Sequence, residues 1–170
     1  MVWVALSLGS NERPRENLGT CLDMLLLQFH DLALSSVFES EAVDQPGQQY
    51  LNMAVGFETT LPLADLVAQL KRIEDRHGRR RGPDAGGRVS LDIDLMLYGD
   101  QTGPAGSAAL PHPDIARRAY MLWPLSQIAG NRQHPALGRS YRSLWQEFDR
   151  STQAIRPVPF DWHGRTLTVA

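Results

Sequence analysis

Two aspartates in one short apolar run are the residues best placed to do chemistry. In Leu91-Asp92-Ile93-Asp94-Leu95-Met96-Leu97 the alternation predicts a strand with Asp92 and Asp94 on one face. Leu91, Ile93 and Leu95 then fall on the other. Same-face residues two apart have Cα atoms about 7 Å from each other. Two carboxylates at that spacing can share hard divalent cations, and magnesium favours a few carboxylates plus substrate phosphates. A half-exposed strand with an acidic polar face would look similar, but aspartate is depleted in strands and two in one need a reason.

Immediately upstream lies Arg79-Arg80-Arg81-Gly82-Pro83-Asp84-Ala85-Gly86-Gly87-Arg88. Arginine forms bidentate contacts with phosphate, and cations beside paired carboxylates suit a metal-bound polyphosphate. No Walker-type Gly-x-x-x-x-Gly-Lys pattern is present. Downstream, Leu110-Pro111-His112-Pro113 fixes a histidine between two prolines, with Arg117-Arg118 following. Tyr50 and Asn52 share one face of a third apolar run, where they could stack on and hydrogen-bond a planar heterocycle. Glu74, His30, His77 and His163 sit in no pattern that marks them for chemistry, and His134-Pro135 repeats the His-Pro pair without its context.

These groups need a scaffold, and the periodicity supplies one. Residues 2–8 read as a strand ending in the Gly9-Ser10-Asn11 turn. Leu18, Leu22, Leu25, Leu26 and Phe29 give an amphipathic helix over about 14–29. Residues 32–38 and 50–59 read as two strands, joined by a polar loop over 39–49. Pro62 opens a second helix, with Leu63, Leu66, Val67, Leu70 and Ile73 on one face, ended by Gly78. Residues 90–98 form the last strand of a βαββαβ order. That is the ferredoxin-like α+β arrangement, one antiparallel sheet with both helices on one face. Residues 99–110 read as a loop, and 115–129 and 139–149 as a C-terminal helical extension. The domain is expected to occupy 1–150, leaving 151–170 as a tail.

Composition narrows the function classes. The chain has 170 residues, 42% of them hydrophobic and 21% charged, enough for its own core and unlike a disordered segment. The apolar runs are too short to span a bilayer, and no signal-peptide pattern opens the chain. Cys21 is the only cysteine, so no internal disulfide can form and a cytoplasmic home is expected. The formal net charge of -2 argues against a nucleic-acid partner. An RNA-binding ferredoxin-like module would carry aromatic residues where Asp92 and Asp94 stand. Lys71 is the only lysine; every other basic residue apart from histidine is arginine.

In combination these stretches resemble the 6-hydroxymethyl-7,8-dihydropterin pyrophosphokinase family of folate biosynthesis. The matching segments are Leu8-Gly9-Ser10-Asn11, residues 35–40, residues 50–55, Ile73-Glu74 with Gly78-Arg79, residues 91–99, and Leu110-Pro111-His112-Pro113 through Arg118 to Trp123-Pro124-Leu125. The resemblance implies a ferredoxin-like core and transfer of pyrophosphate from ATP to the pterin's hydroxymethyl oxygen, releasing AMP. It implies two magnesium ions on Asp92 and Asp94, which with Arg79 and Arg88 form the catalytic set. ATP contacts would come from Lys71, Glu74, Arg79, Arg81, Arg88, His112 and Arg118, and pterin contacts from Ser40, Val43, Tyr50, Asn52 and Tyr120. A monomer is expected. The 79–88 loop departs from the family pattern: it has no tryptophan, and Arg88 stands four residues before Asp92 rather than three. A paralogue acting on another pterin, or binding without efficient turnover, is the alternative.

Overall fold

The computed structural model describes residues 1–42 and 45–169. Its elements run β1 (Val2–Ser10), α1 (Pro14–Phe29), β2 (Ala33–Leu34), β3 (Phe38–Ala42), β4 (Gln45–Thr59), α2 (Leu63–Arg76) and β5 (Asp92–Tyr98). They continue with β6 (Gly103–Ala105), β7 (Ala108–Leu110), α3 (Ala119–Ala129), α4 (Tyr141–Gln146), β8 (Ile155–Pro157), β9 (Asp161–Trp162) and β10 (Arg165–Thr166). The main sheet is antiparallel in the order β5-β1-β4-β3-β8, with β2 also on β4. This is the expected ferredoxin-like α+β core.

Alternation along β1 and β4 divides the apolar side chains between two layers. Val4, Leu6, Leu8, Met53, Val55 and Phe57 pack with Leu18, Leu22, Leu25, Leu66 and Leu70 of α1 and α2. Ala5, Ala54 and Met96, on the opposite sheet face, pack with Leu122 and Leu125 of α3 and with Tyr141 and Trp145 of α4. The second layer covers only one end of its face. The other end, carrying Ser7, Gly9, Tyr50, Asn52, Asp92 and Asp94, is left for the site.

Four local expectations are corrected. Residues 32–38 are not one strand: the chain pairs with β4 at Ala33 and Leu34, breaks, and re-enters the sheet at Phe38. The break is made by hydroxyls, since Ser35 Oγ accepts the Ala54 N–H at 2.8 Å and donates to the Ser36 carbonyl at 2.7 Å. The polar stretch 39–49 is largely strand, because β3 is paired on both sides, by β4 and by β8. Residues 99–110 contain the β6–β7 hairpin rather than a plain loop. The later helices are shorter than read: α3 starts at Ala119 after a run of turns, and α4 covers six residues.

Residues 151–169 are built into the fold. β8 closes the β3 edge, and the β9–β10 hairpin packs on α1, where Trp162 Nε1 donates to Asp23 Oδ1 at 2.9 Å. Among the described residues, no helix is long and apolar enough to cross a membrane.

Candidate active site

Three neighbouring strands align the site. Gly9 of β1 pairs with Asp92 of β5 on one side and with Asn52 of β4 on the other. One step along, Ser7 lies between Asp94 and Ala54. Adjacent strands are about 4.8 Å apart, so Asp92 and Asn52 face each other across roughly 10 Å. The space between them exists because Gly9 has no side chain. A Cβ there would lie 3.1 Å from Asn52 Oδ1 and 3.8 Å from Tyr50 Cδ1, so both groups overhang the glycine.

Asn52 is only 4% exposed, and its Nδ2 donates to Ser40 Oγ at 2.6 Å. That bond fixes the amide and leaves Oδ1 over Gly9 as an acceptor. Tyr50 lies within reach of both Asp92 and Arg79, and partial burial raises its pKa. Tyr120, early in α3, is pushed up to about 12 by burial and then by Asp94 and Asp114. Two phenol rings thus border the strip that holds Asn52 and the aspartates.

The aspartates form one electrostatic unit. Burial, then the neighbouring Asp92 charge and a hydrogen bond between the two carboxyls, holds the Asp94 pKa well above the usual carboxylate range. Such a pair retains a proton that a divalent cation would displace, and both groups would then be ionised. Among the described residues, no cluster of three or more histidine, cysteine, aspartate or glutamate side chains is placed to hold a metal. The donor set is therefore two carboxylates, and it suits magnesium, which keeps water and substrate phosphates in its remaining positions.

Glu74 reaches this pair from the last turn of α2. Its Oε2 accepts the Ile93 N–H at 2.8 Å and its Oε1 accepts from Arg81 Nη2 at 2.7 Å. Burial raises its pKa, against the pull of those two partners. His112 is anchored to β5 by its own N–H, which donates to the Met96 carbonyl at 2.9 Å. Its Nδ1 accepts the Asp114 N–H at 3.1 Å, so the neutral ring carries its proton on Nε2. Burial lowers the His112 pKa and keeps that neutral form favoured.

The arginine loop closes the near side. Arg79, Arg81, Arg88 and Tyr50 line a cavity of about 260 Å³. Arg79 Nε is buried with no hydrogen-bond partner among the described residues, an orphaned donor facing a site that would take an anion. Asn11 holds the loop down: its Nδ2 donates to the Gly87 carbonyl at 2.9 Å and to Gln48 Oε1 at 2.8 Å, and its Oδ1 accepts the Val89 N–H at 2.6 Å.

Residues 5–130 match the family model described as 7,8-dihydro-6-hydroxymethylpterin-pyrophosphokinase. The chain belongs to that family. Its reaction is pyrophosphoryl transfer to hydroxymethyldihydropterin in folate biosynthesis, and the family generally uses magnesium. The chain is 32% identical over 151 residues to the 2-amino-4-hydroxy-6-hydroxymethyldihydropteridine pyrophosphokinase of Synechocystis sp., covering 84% of this chain and 76% of that one. It is 34% identical over 137 residues to the Haemophilus influenzae protein of the same name, covering 77% and 84%. The crystal structure of wild-type Plasmodium falciparum HPPK-DHPS superposes with a TM-score of 0.66 at 13% identity, over 99% of this chain and 50% of that one. At that identity the likeness concerns the fold alone, and this chain spans half the length of that protein.

Against this pyrophosphokinase frame the residues picked from sequence distribute unevenly. Asp92, Asp94, Glu74, Arg79, Arg81, Arg88, Tyr50, Asn52, Ser40, Tyr120 and His112 surround the open end of the sheet. Arg118 caps the start of α3, two residues before Tyr120. Lys71 is exposed on α2, and among the described residues no hydrogen bond or ion pair ties it to the site. Val43 lies outside the described residues. Sequence reading passed over Asp114, which orients His112, and the three-way grip of Asn11; a Ser-Asn turn after a strand was the signal for the latter. It also passed over Phe38, fully buried behind Asn52 and packed on Trp123 at a centroid distance of 4.6 Å.

Proposed function

We propose that this chain performs its family's reaction on the uncovered end of the sheet, with ATP on the β5 side and the pterin on the β4 side. The chain is a pyrophosphokinase: it transfers a pyrophosphoryl group to the hydroxymethyl group of hydroxymethyldihydropterin, a step of folate biosynthesis. The observation that carries the arrangement is the row Asp92–Gly9–Asn52, which sets a metal-binding group and a heterocycle-binding group about 10 Å apart on one rigid sheet.

Each residue then has a task. Asn52 Oδ1, fixed by Ser40, accepts from an N–H of the pterin ring, and Tyr50 and Tyr120 supply the stacking faces. Asp92 and Asp94 would hold two magnesium ions. Bound there, these would neutralise the triphosphate and polarise the phosphorus under attack. Arg79, Arg81, Arg88 and Arg118 bind the phosphate oxygens, and Nε2 of His112 donates to one of them. Glu74 holds Arg81 and β5 in place rather than meeting the nucleotide head-on. The hydroxymethyl oxygen attacks the β-phosphorus, its proton leaves to solvent, and AMP departs. No covalent enzyme intermediate is needed, so positioning and charge provide most of the rate.

The loop at 79–88 favours a second reading, action on a different pterin alcohol. It has no aromatic residue to lay over the heterocycle, and it is fastened through Gly87 and Val89 to Asn11. A cytoplasmic location is supported by Cys21, a lone and fully buried thiol.

The deciding experiment is AMP release from ATP with 6-hydroxymethyl-7,8-dihydropterin and magnesium, against controls lacking pterin or metal. AMP that requires both establishes the reaction as drawn. ATP binding without AMP, or faster turnover of another pterin alcohol, would move the assignment to the second reading.

A further inference from the structure

Behind the arginine loop, on the helix side of the sheet, lies a second cavity of about 300 Å³. Its wall includes Arg13, Arg80, Arg88, Asn17, Ser90 and Glu12. Three guanidinium groups against one carboxylate make it electropositive. It opens beside the first turn of α1, a sixteen-residue helix whose N-terminal end adds further positive potential. A separate observation also points to a ligand. Ser90 is only 6% exposed, and its Oγ is buried with no hydrogen-bond partner among the described residues. A buried hydroxyl without a partner is costly, and an acceptor in the cavity would satisfy it. His77 is on the same wall but is already engaged, its Nδ1 with the Ile73 carbonyl and its Nε2 with Thr20 Oγ1.

We propose that this cavity is a second anion site, taking a phosphate dianion without metal and separately from the catalytic strip. Its chemistry differs from that of the first site. The catalytic strip sets a pair of aspartates beside its arginines and would bind phosphate partly through a cation; this one has three arginines and a serine on its wall and no carboxylate pair to hold a metal. Arg88 lines both cavities, so an anion seated here ties the loop over the active site to α1. The free inorganic ion and the phosphate end of a nucleotide present the same dianion.

Calorimetric titration of the full chain with inorganic phosphate and, in parallel, with AMP, both in excess EDTA, tests the site and separates the two sources. Binding of either is expected, weakened about tenfold or more by Arg13→Gln and by Ser90→Ala, and unchanged within about twofold by His112→Gln. Amide shifts on titration should be largest at residues 12–17 and 77–80. Absence of metal-free binding would overturn the proposal. So would binding that His112→Gln abolishes while Arg13→Gln spares it, or shifts confined to 92–94 and 112. The amide shifts decide the matter even where a variant folds poorly.

Discussion

Glu74 Oε2 accepts the Ile93 N–H at 2.8 Å, so a carboxylate from α2 occupies the free edge of β5 at the residue between Asp92 and Asp94. The bond links the end of α2 to the strand that carries both aspartates. Removing the acceptor strands a buried N–H, at a cost of about 1–3 kcal/mol. Glu74→Ala is therefore expected to lower the melting temperature by several degrees and to raise the magnesium concentration needed for half-maximal turnover. Glu74→Gln, which can still accept from Ile93, should restore most of the stability. Equal loss in both variants would show that charge, not the bond, matters.

The coupled aspartates set a pH dependence whose sign can be worked out. The Asp94 pKa is raised on folding, so between its unfolded and folded values the native state holds a proton that the unfolded state has lost. In EDTA, stability should fall as pH rises from the ordinary carboxylate range through that raised value. Asp94→Asn should then melt higher than the wild type at alkaline pH, and the difference should shrink toward pH 4. Magnesium should reduce it as well. Thermal melts across pH with and without the metal check this, and a gap that grows on acidification would contradict it.

Turnover should rank the polar groups. If Asp92 and Asp94 hold the metals as proposed, Asp92→Ala and Asp94→Ala are expected to lose activity by about a thousandfold or more with the fold retained. His112→Ala removes a single donor and should cost about ten- to a hundredfold. Steady-state kinetics with circular dichroism on each variant would decide, and a histidine effect as large as the aspartates' would reverse the ranking.

Gly9 offers the cleanest steric test. Alanine there brings a Cβ to 3.1 Å from Asn52 Oδ1, tighter than most real contacts, in the strip proposed to take the heterocycle. Gly9→Ala should raise the pterin KM by about tenfold while the ATP KM changes little, with a small shift in melting temperature. An unchanged pterin KM would move the heterocycle off Asn52.

The parts legible in the sequence are those governed by local period. α1 and α2 follow from spaced leucines, and the Asp-x-Asp alternation alone places both carboxylates on one strand face. β3 was not legible, because Glu39, Ser40 and Glu41 carry no apolar signal. That segment is a strand because β4 and β8 pair with both of its edges, and β8 lies more than a hundred residues away. The Asn52–Ser40 and Glu74–Ile93 bonds are likewise long-range. The family resemblance, not local pattern, singled out Ser40 and Glu74, and the bonds by which Ser40 holds Asn52 and Glu74 holds the Ile93 N–H lie beyond any local signal.

The pairing of β8 with β3 also has a consequence for how the molecule is made. Ser40 braces Asn52 from one side of the sheet, and its own strand pairs with Ile155 on the other. A ribosome delivers residues 155–157 only after the other five strands of the main sheet have been synthesised. Until then the nascent sheet ends in an open edge at Phe38–Ser40, a strand ready to pair with another chain. Residues 155–157 thus close the edge through which a half-made sheet would aggregate.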